Sequence, residues 1–269
     1  RVNIYRQQGK LCAALRIIND EIKTLDELNM PEVLKKLAME PRGLVLVTGP
    51  TGSGKSTTLA AVMDYINENK DCHVLTIEDP IEYVYQPKRA MIHQREIERD
   101  VDSFDTALRS ALREDPDVIL VGEMRDYETI SSVITLAETG HLVFSTLHTI
   151  GAAKTIDRII DVFPQHKQAQ IRMQLSGILK AVITQQLLPT ADGQGRAAAM
   201  EIMTVTDAVG ALIRESKVHQ INSQIQTGIK DGMMTLNFSL AQLVRSGKVS
   251  RETAKKYSDD PDELMQYLM

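Results

Sequence analysis

Tryptophan is absent from the 269 residues, and cysteine occurs only twice. Two thiols, Cys12 and Cys72, cannot complete a four-cysteine zinc site. They offer no disulfide framework either, so both read as free thiols suited to a reducing compartment. Long apolar runs are also missing. No stretch approaches the ~18 residues needed to cross a bilayer, and no signal-peptide pattern is present. A basic excess is lacking: 31 Lys and Arg against 36 Asp and Glu leave a net charge of -5, which argues against a dedicated nucleic-acid binder. Internal repeats and low-complexity tracts do not occur. What remains is an ordinary globular composition, 43% hydrophobic and 25% charged. The length suits one large domain or two small ones.

The hydrophobic pattern divides the chain. "RVNIYRQQGKLCAALRIIN" alternates as two strands about Gln8-Gly9, a pair that would be marginal alone and belongs with a preceding domain. "DEIKTLDELNM" lacks strand alternation and reads as a linker. From Pro31, which opens a short helix, helical and strand patterns alternate as far as the hairpin-like "ADGQGRAAAMEIM". Strands alternating with helices of that length predict a parallel sheet covered on both faces. Beyond Asp207 only helical periods occur. The expected division is 1–20, the end of a preceding domain; 21–30, linker; 31–203, an α/β core; and 204–269, a C-terminal helical region.

Four strand ends carry the chemistry. "GPTGSGKST", Gly49 to Thr57, fits G-x-x-x-x-G-K-[ST] between a strand and a helix. Backbone N–H groups of such a loop turn inward on phosphates at a helix N-terminus. The candidate nucleotide-binding residues are therefore Thr51, Gly52, Ser53, Gly54, Lys55, Ser56 and Thr57. Lys55 would reach the β- and γ-phosphates, and Ser56 would offer its hydroxyl to Mg²⁺. "TIEDPIEY" brings Glu78, Asp79 and Glu82 to a second strand end, where carboxylates would hold magnesium waters or orient a nucleophilic water. "LVFSTLHT" brings Ser145, Thr146 and His148 to a third, with Thr146 or His148 as γ-phosphate sensors. "VILVGEMRD" ends not in the usual magnesium-binding Asp but in Gly122-Glu123, with Arg125 two residues on as the candidate for nucleotide-linked switching. Gly122 would leave room for the phosphates. Arg95, Arg109 and Arg113 read as solvated ion-pair partners, and His73 and His93 as structural.

"GPTGSGKSTT", "TIEDPIEY", "SFDTALRSALREDPDVILVGEMRD" and "AETGHLVFSTLHT" together resemble the Walker A, Asp box, Walker B and His box of the secretion ATPases that power type IV pili and type II secretion. "RVNIYRQQGKLCAALRII" resembles the last hairpin of that family's PAS-like N-terminal domain. The closest likeness is to the pilus-retraction (PilT) group, since assembly and secretion relatives usually carry a four-cysteine zinc site in an inserted subdomain. The resemblance implies a RecA-like P-loop NTPase core with a C-terminal helical region. It implies a cytoplasmic, ATP- and Mg²⁺-dependent motor for pilus retraction and twitching motility, built as a homo-hexamer that docks on an inner-membrane pilus platform protein. Glu82 would then be the general base. Glu123 would join Ser56 in the magnesium shell, and Asp79, Thr146 and His148 would line the phosphate end. Arg1 and Arg16 stand where the family's PAS-like domain sends arginines to a neighbouring subunit's nucleotide. One departure concerns the retraction-linked helix: "AVGALIRE" has Gly210 and Ala211 where the family has Arg and Asn. A second is Glu98, in place of a small residue.

Overall fold

A computed structural model describes residues 2–15 and 21–269. Strands β1 (Val2–Gln7) and β2 (Lys10–Leu15) pair antiparallel, and Gln8 and Gly9 both take the positive φ that a two-residue hairpin turn demands. Nearly all of the hairpin's side chains are exposed, including Val2, Ile4, Leu11 and Leu15. Arg1 and Arg16 lie outside the described residues. The segment 21–30 forms neither helix nor strand, and it packs Leu25 into the core beside Leu34 and Leu37.

The remaining strands make one sheet. In chain order come α1 (Val33–Ala38), β3 (Gly43–Thr48), α2 (Lys55–Asn69), β4 (His73–Glu78), β5 (Met91–Glu96), α3 (Phe104–Ala111), β6 (Val118–Val121), α4 (Tyr127–Glu138) and β7 (Leu142–Leu147). They are followed by α5 (Ala152–Asp161), α6 (Gln165–Ile178), β8 (Leu179–Pro189) and β9 (Arg196–Thr204). The spatial order is β5-β4-β6-β7-β3-β8-β9, parallel throughout except that β9 returns antiparallel beside β8. Strands β3, β6 and β7 are buried along their whole length, which is why each is a continuous apolar run instead of an alternating one.

The period of two sorts those runs between two cores. Leu44, Leu46, Ile119, Val121 and Val143 face the layer of α3–α6, whereas Val45, Val47, Val118, Leu120 and Phe144 face α1 and α2. Truncating a fully buried side chain such as Leu46 to alanine costs about 2–5 kcal/mol in cores of this kind. Ser103 caps α3 by accepting from the Thr106 amide, and Asp126 caps α4 through Thr129.

The C-terminal helices are α7 (Asp207–Arg214), α8 (Ile221–Thr227), α9 (Leu236–Arg245), α10 (Arg251–Tyr257) and α11 (Pro261–Leu268). Val209, Ile213, Ile221 and Ile225 continue the first core, and Leu240, Ala254 and Leu264 form a third cluster against Leu188 and Ala199 of the β8–β9 pair. Among the described residues no helix is long and apolar enough to cross a membrane.

The sequence pattern missed β5. Its "MIHQRE" is largely polar because it is an edge strand, paired on one side only with β4, that holds a loop and a helix end by polar side chains. Arg95, on one face, reaches Ser110 and Glu114 at the end of α3, each at 2.8 Å. His73 and His93 meet across β4 and β5, with ring nitrogens 2.9 Å apart.

Candidate nucleotide-binding site

Ligands in open parallel sheets bind beyond the carboxyl ends of the strands, where the direction of the connections reverses. Here β3 has β7 on one side and β8 on the other, while the chain leaving β3 returns through α2 to the far side of the sheet. A cleft of about 420 Å³ opens at that end. It is lined by the loop from Thr51 to Thr57, by Glu78, Asp79 and Glu82, by Gly122 and Glu123, and by Thr146 and His148. Four separate sequence motifs thus meet in one cavity. Ser53 is the exception within the loop: its side chain is buried and does not line the cleft. Arg125 lines an adjoining groove with Glu123, Asp79 and Asp126.

The loop's path follows from its glycines and from β8. Gly49 adopts φ 136°, and a Cβ there would fall 2.2 Å from the Gln185 carbonyl oxygen, so only glycine fits. Gly54, left-handed at φ 90°, is the N-cap of α2 and presents that helix's unbonded N–H groups to the cleft. Beneath the loop, Gln185 is 1% exposed. Its Nε2 donates to the Ser53 carbonyl at 2.8 Å, and its Oε1 accepts from the Thr58 hydroxyl at 2.7 Å. The interruption "TQQ" inside the apolar run of β8 was the available signal for this brace. A polar pair in a buried strand must find partners.

Lys55 is largely buried, and its ammonium donates to the carbonyls of Gly49 and Pro50 at 2.8 and 3.1 Å. Burial lowers its proton affinity, an effect that the nearby Glu82 carboxylate opposes. Burial likewise raises the Glu78 carboxyl above its ordinary value, although a 2.6 Å hydrogen bond from the Thr76 hydroxyl favours the ionised form. Glu123 accepts from or pairs with His148 Nε2 at 3.1 Å and contacts the Arg125 guanidinium. Partial burial first, and then the Lys55 and Arg125 charges, push the His148 pKa below the ordinary histidine value. The shift favours the neutral imidazole, which can serve as donor or acceptor.

Two contacts lock the strand ends together. The Thr146 hydroxyl donates to the Gly122 carbonyl at 2.6 Å, and the Met124 amide to the Thr146 carbonyl at 3.1 Å. Gly122 also packs against β4: a Cβ there would sit 3.4 Å from Glu78 Cα and Ile77 O. That is ordinary contact distance, so β4 itself does not demand a glycine at this position. The donor set of the cleft suits a hard cation. Ser56 hydroxyl and the carboxylates of Glu123, Asp79 and Glu82 are all oxygen ligands, and Mg²⁺ typically takes one or two of these and keeps several waters. Leu187 and Arg196 of the β8–β9 pair also line the cleft, and no local motif marked them.

A doubly covered parallel sheet, with a phosphate-cradling loop after a central strand and acidic and histidine side chains from three other strand ends, defines a RecA-like P-loop nucleoside triphosphatase. Residues 8–261 match the family described as Type II/IV secretion system protein, and the chain belongs to that family. Among its relatives, a type IV pilus retraction ATPase of Pseudomonas aeruginosa is 56% identical over 98% of this chain and 76% of its own length. A twitching motility protein of Neisseria gonorrhoeae is 54% identical over 98% of this chain and 71% of its own length. The crystal structure of a pilus retraction motor with bound ADP superposes with a TM-score of 0.92 at 48% identity, covering 98% of this chain and 75% of that one.

Proposed function

We propose that this protein is an ATP-hydrolysing motor that retracts type IV pili, working in the cytoplasm as a ring of six against an inner-membrane pilus platform protein. The observation that carries the reading is the single cleft in which the phosphate loop, Glu82, Glu123, Thr146 and His148 come together. That it occurs in a chain more than half identical to named retraction and twitching proteins points the motor at pili.

In this reading the loop amides and Lys55 hold the phosphates. Ser56 and Glu123 would hold Mg²⁺, which would supply charge neutralisation at the γ-phosphate. Glu82, exposed to the cleft and close enough to influence Lys55, accepts a proton from the attacking water. Asp79 and Thr146 line the phosphate end, and neutral His148, paired with Glu123, senses its occupancy. Arg125 couples the site to the adjoining groove, and Arg1 and Arg16 act on a neighbouring subunit's nucleotide. Loss of the γ-phosphate then shifts rigid bodies against one another.

The test is Glu82→Gln. It should bind ATP as tightly as the wild type while turnover falls by about 10²–10⁴-fold. Full turnover would remove Glu82 as the base. A deletion strain scored for surface pili separates directions: excess pili assign retraction, and bald cells assign assembly.

A further inference from the structure

The loop that carries Glu82 has no regular secondary structure, yet its burial alternates strictly from Ile81 to Tyr85, with Glu82 and Val84 outward and the three others inward. In an extended segment the backbone groups of alternate residues point the same way. Here one backbone group of each of residues 81, 83 and 85 is taken by a side chain of β5. The Ile81 amide donates to Glu96 Oε2 at 3.1 Å. Gln94 Nε2 donates to the Tyr83 carbonyl at 2.8 Å, and Gln94 Oε1 accepts from the Tyr85 amide at 3.0 Å. Gln94 and Glu96 lie two apart on one strand and so share a face, while Arg95 between them serves α3. The Tyr83 hydroxyl meets Thr57 Oγ1 at 2.9 Å, which ties the same loop to the first turn of α2.

We propose that Gln94 is a positioning residue for hydrolysis: its amide grips the backbone on the C-terminal side of Glu82 at two points and so sets where that carboxylate stands over the phosphate loop. A strand of peptide with no ladder of its own has few ways to hold a register, and a single amide that donates to one residue and accepts from the next but one fixes both position and direction. Gln94 does not line the cleft itself and so does not touch nucleotide; besides the loop that carries Glu82, its Nε2 reaches Glu78 Oε1 at a longer 3.4 Å. The inference rests on the reading of Glu82 as the base.

The experiment measures ATP turnover, affinity for a fluorescent ADP analogue and thermal midpoint on the full-length oligomer for Gln94→Met, Glu82→Gln and the double variant. Gln94→Met keeps the volume and loses both backbone hydrogen bonds, together with the longer 3.4 Å contact from Gln94 Nε2 to Glu78 Oε1. It should lower kcat by at least about tenfold, because small displacements of a reacting group are costly. Its ADP affinity should stay within about twofold of the wild type. In the Glu82→Gln background it should cost nothing further, since the group it positions is gone. An unchanged kcat, the same loss repeated in the Glu82→Gln background, or a fall in ADP affinity that matches the fall in kcat would each overturn the proposal. Full turnover in Glu82→Gln alone would overturn the base assignment and this proposal with it, whereas a slow Glu82→Gln with a normal Gln94→Met removes only the clamp. If Gln94→Met does not fold, Gln94→Asn, which keeps the amide but is one methylene short, answers the same question.

Discussion

Replacing Gln185 by leucine tests whether the phosphate loop is held from below. The side chain is 1% exposed, and leucine of similar volume fills the space without a cavity. Two partners are left behind. The Thr58 hydroxyl sits in the first turn of α2 and can turn back to a helix carbonyl, so its loss is small. The Ser53 carbonyl has no such alternative within a residue that is 3% exposed, and a stranded buried acceptor costs about 1–3 kcal/mol. With the lost Thr58 contact, the total is about 2–4 kcal/mol. For a chain of this size each kcal/mol moves the melting midpoint by about 2–4 °C, so Gln185→Leu should melt roughly 4–16 °C lower. Nucleotide affinity should fall too, because the loop amides lose the brace that aims them. Differential scanning fluorimetry with and without ADP measures both effects. The neighbouring Gln186, half-buried and facing the other side of the sheet, is the control, and Gln186→Leu should stay within about 0.5 kcal/mol. A Gln185→Leu variant that melts and binds like the wild type would refute the brace.

Lys55→Ala should abolish detectable ATP binding in a filter or fluorescence assay while the fold survives, and unchanged affinity would sink the phosphate-loop assignment. Glu78 supplies a pH prediction. Its folded pKa is raised by burial, so the folded chain binds a proton more tightly than the unfolded one. That contribution to stability is present at low pH and is lost as pH rises through the folded value. Glu78→Gln, which keeps an acceptor for Thr76, should therefore melt above the wild type at neutral pH, with the gap closing as pH falls toward 4.5, the ordinary glutamate value. A gap independent of pH would show that the ionised carboxylate is not the cause.

Most of the fold could be read from periodicity, because the strands of a doubly covered sheet are apolar throughout and the helices between them carry one buried stripe. α2 runs from Lys55 to Asn69 with sharp ends, left-handed Gly54 before it and extended Lys70 after it. The cleft was legible for a different reason. Its side chains lie at the ends of apolar strands, and parallel topology brings such ends to one edge whatever separates them in sequence. What escaped was polar support. Gln94 looks like a surface residue on an indifferent strand, and its meaning depends on a loop ten residues earlier that happens to lie across it. Leu25 sits in a polar stretch whose path over α1 no local pattern encodes. Gln185 left a trace, as a polar intrusion into an apolar run, but the trace does not say which loop it serves.

Consecutive residues of a strand face opposite sides of the sheet, and on β8 both sides are fastened at the same level. Gln185 is fixed to the phosphate loop. Thr184 meets Thr48 at 2.9 Å and the Gly151 amide at 3.3 Å on the other face, where its cross-strand partner Glu201 accepts from Ala152. A strand pinned front and back cannot roll about its own axis. Backbone amides around Thr184 should accordingly be among the last in the chain to exchange their hydrogens.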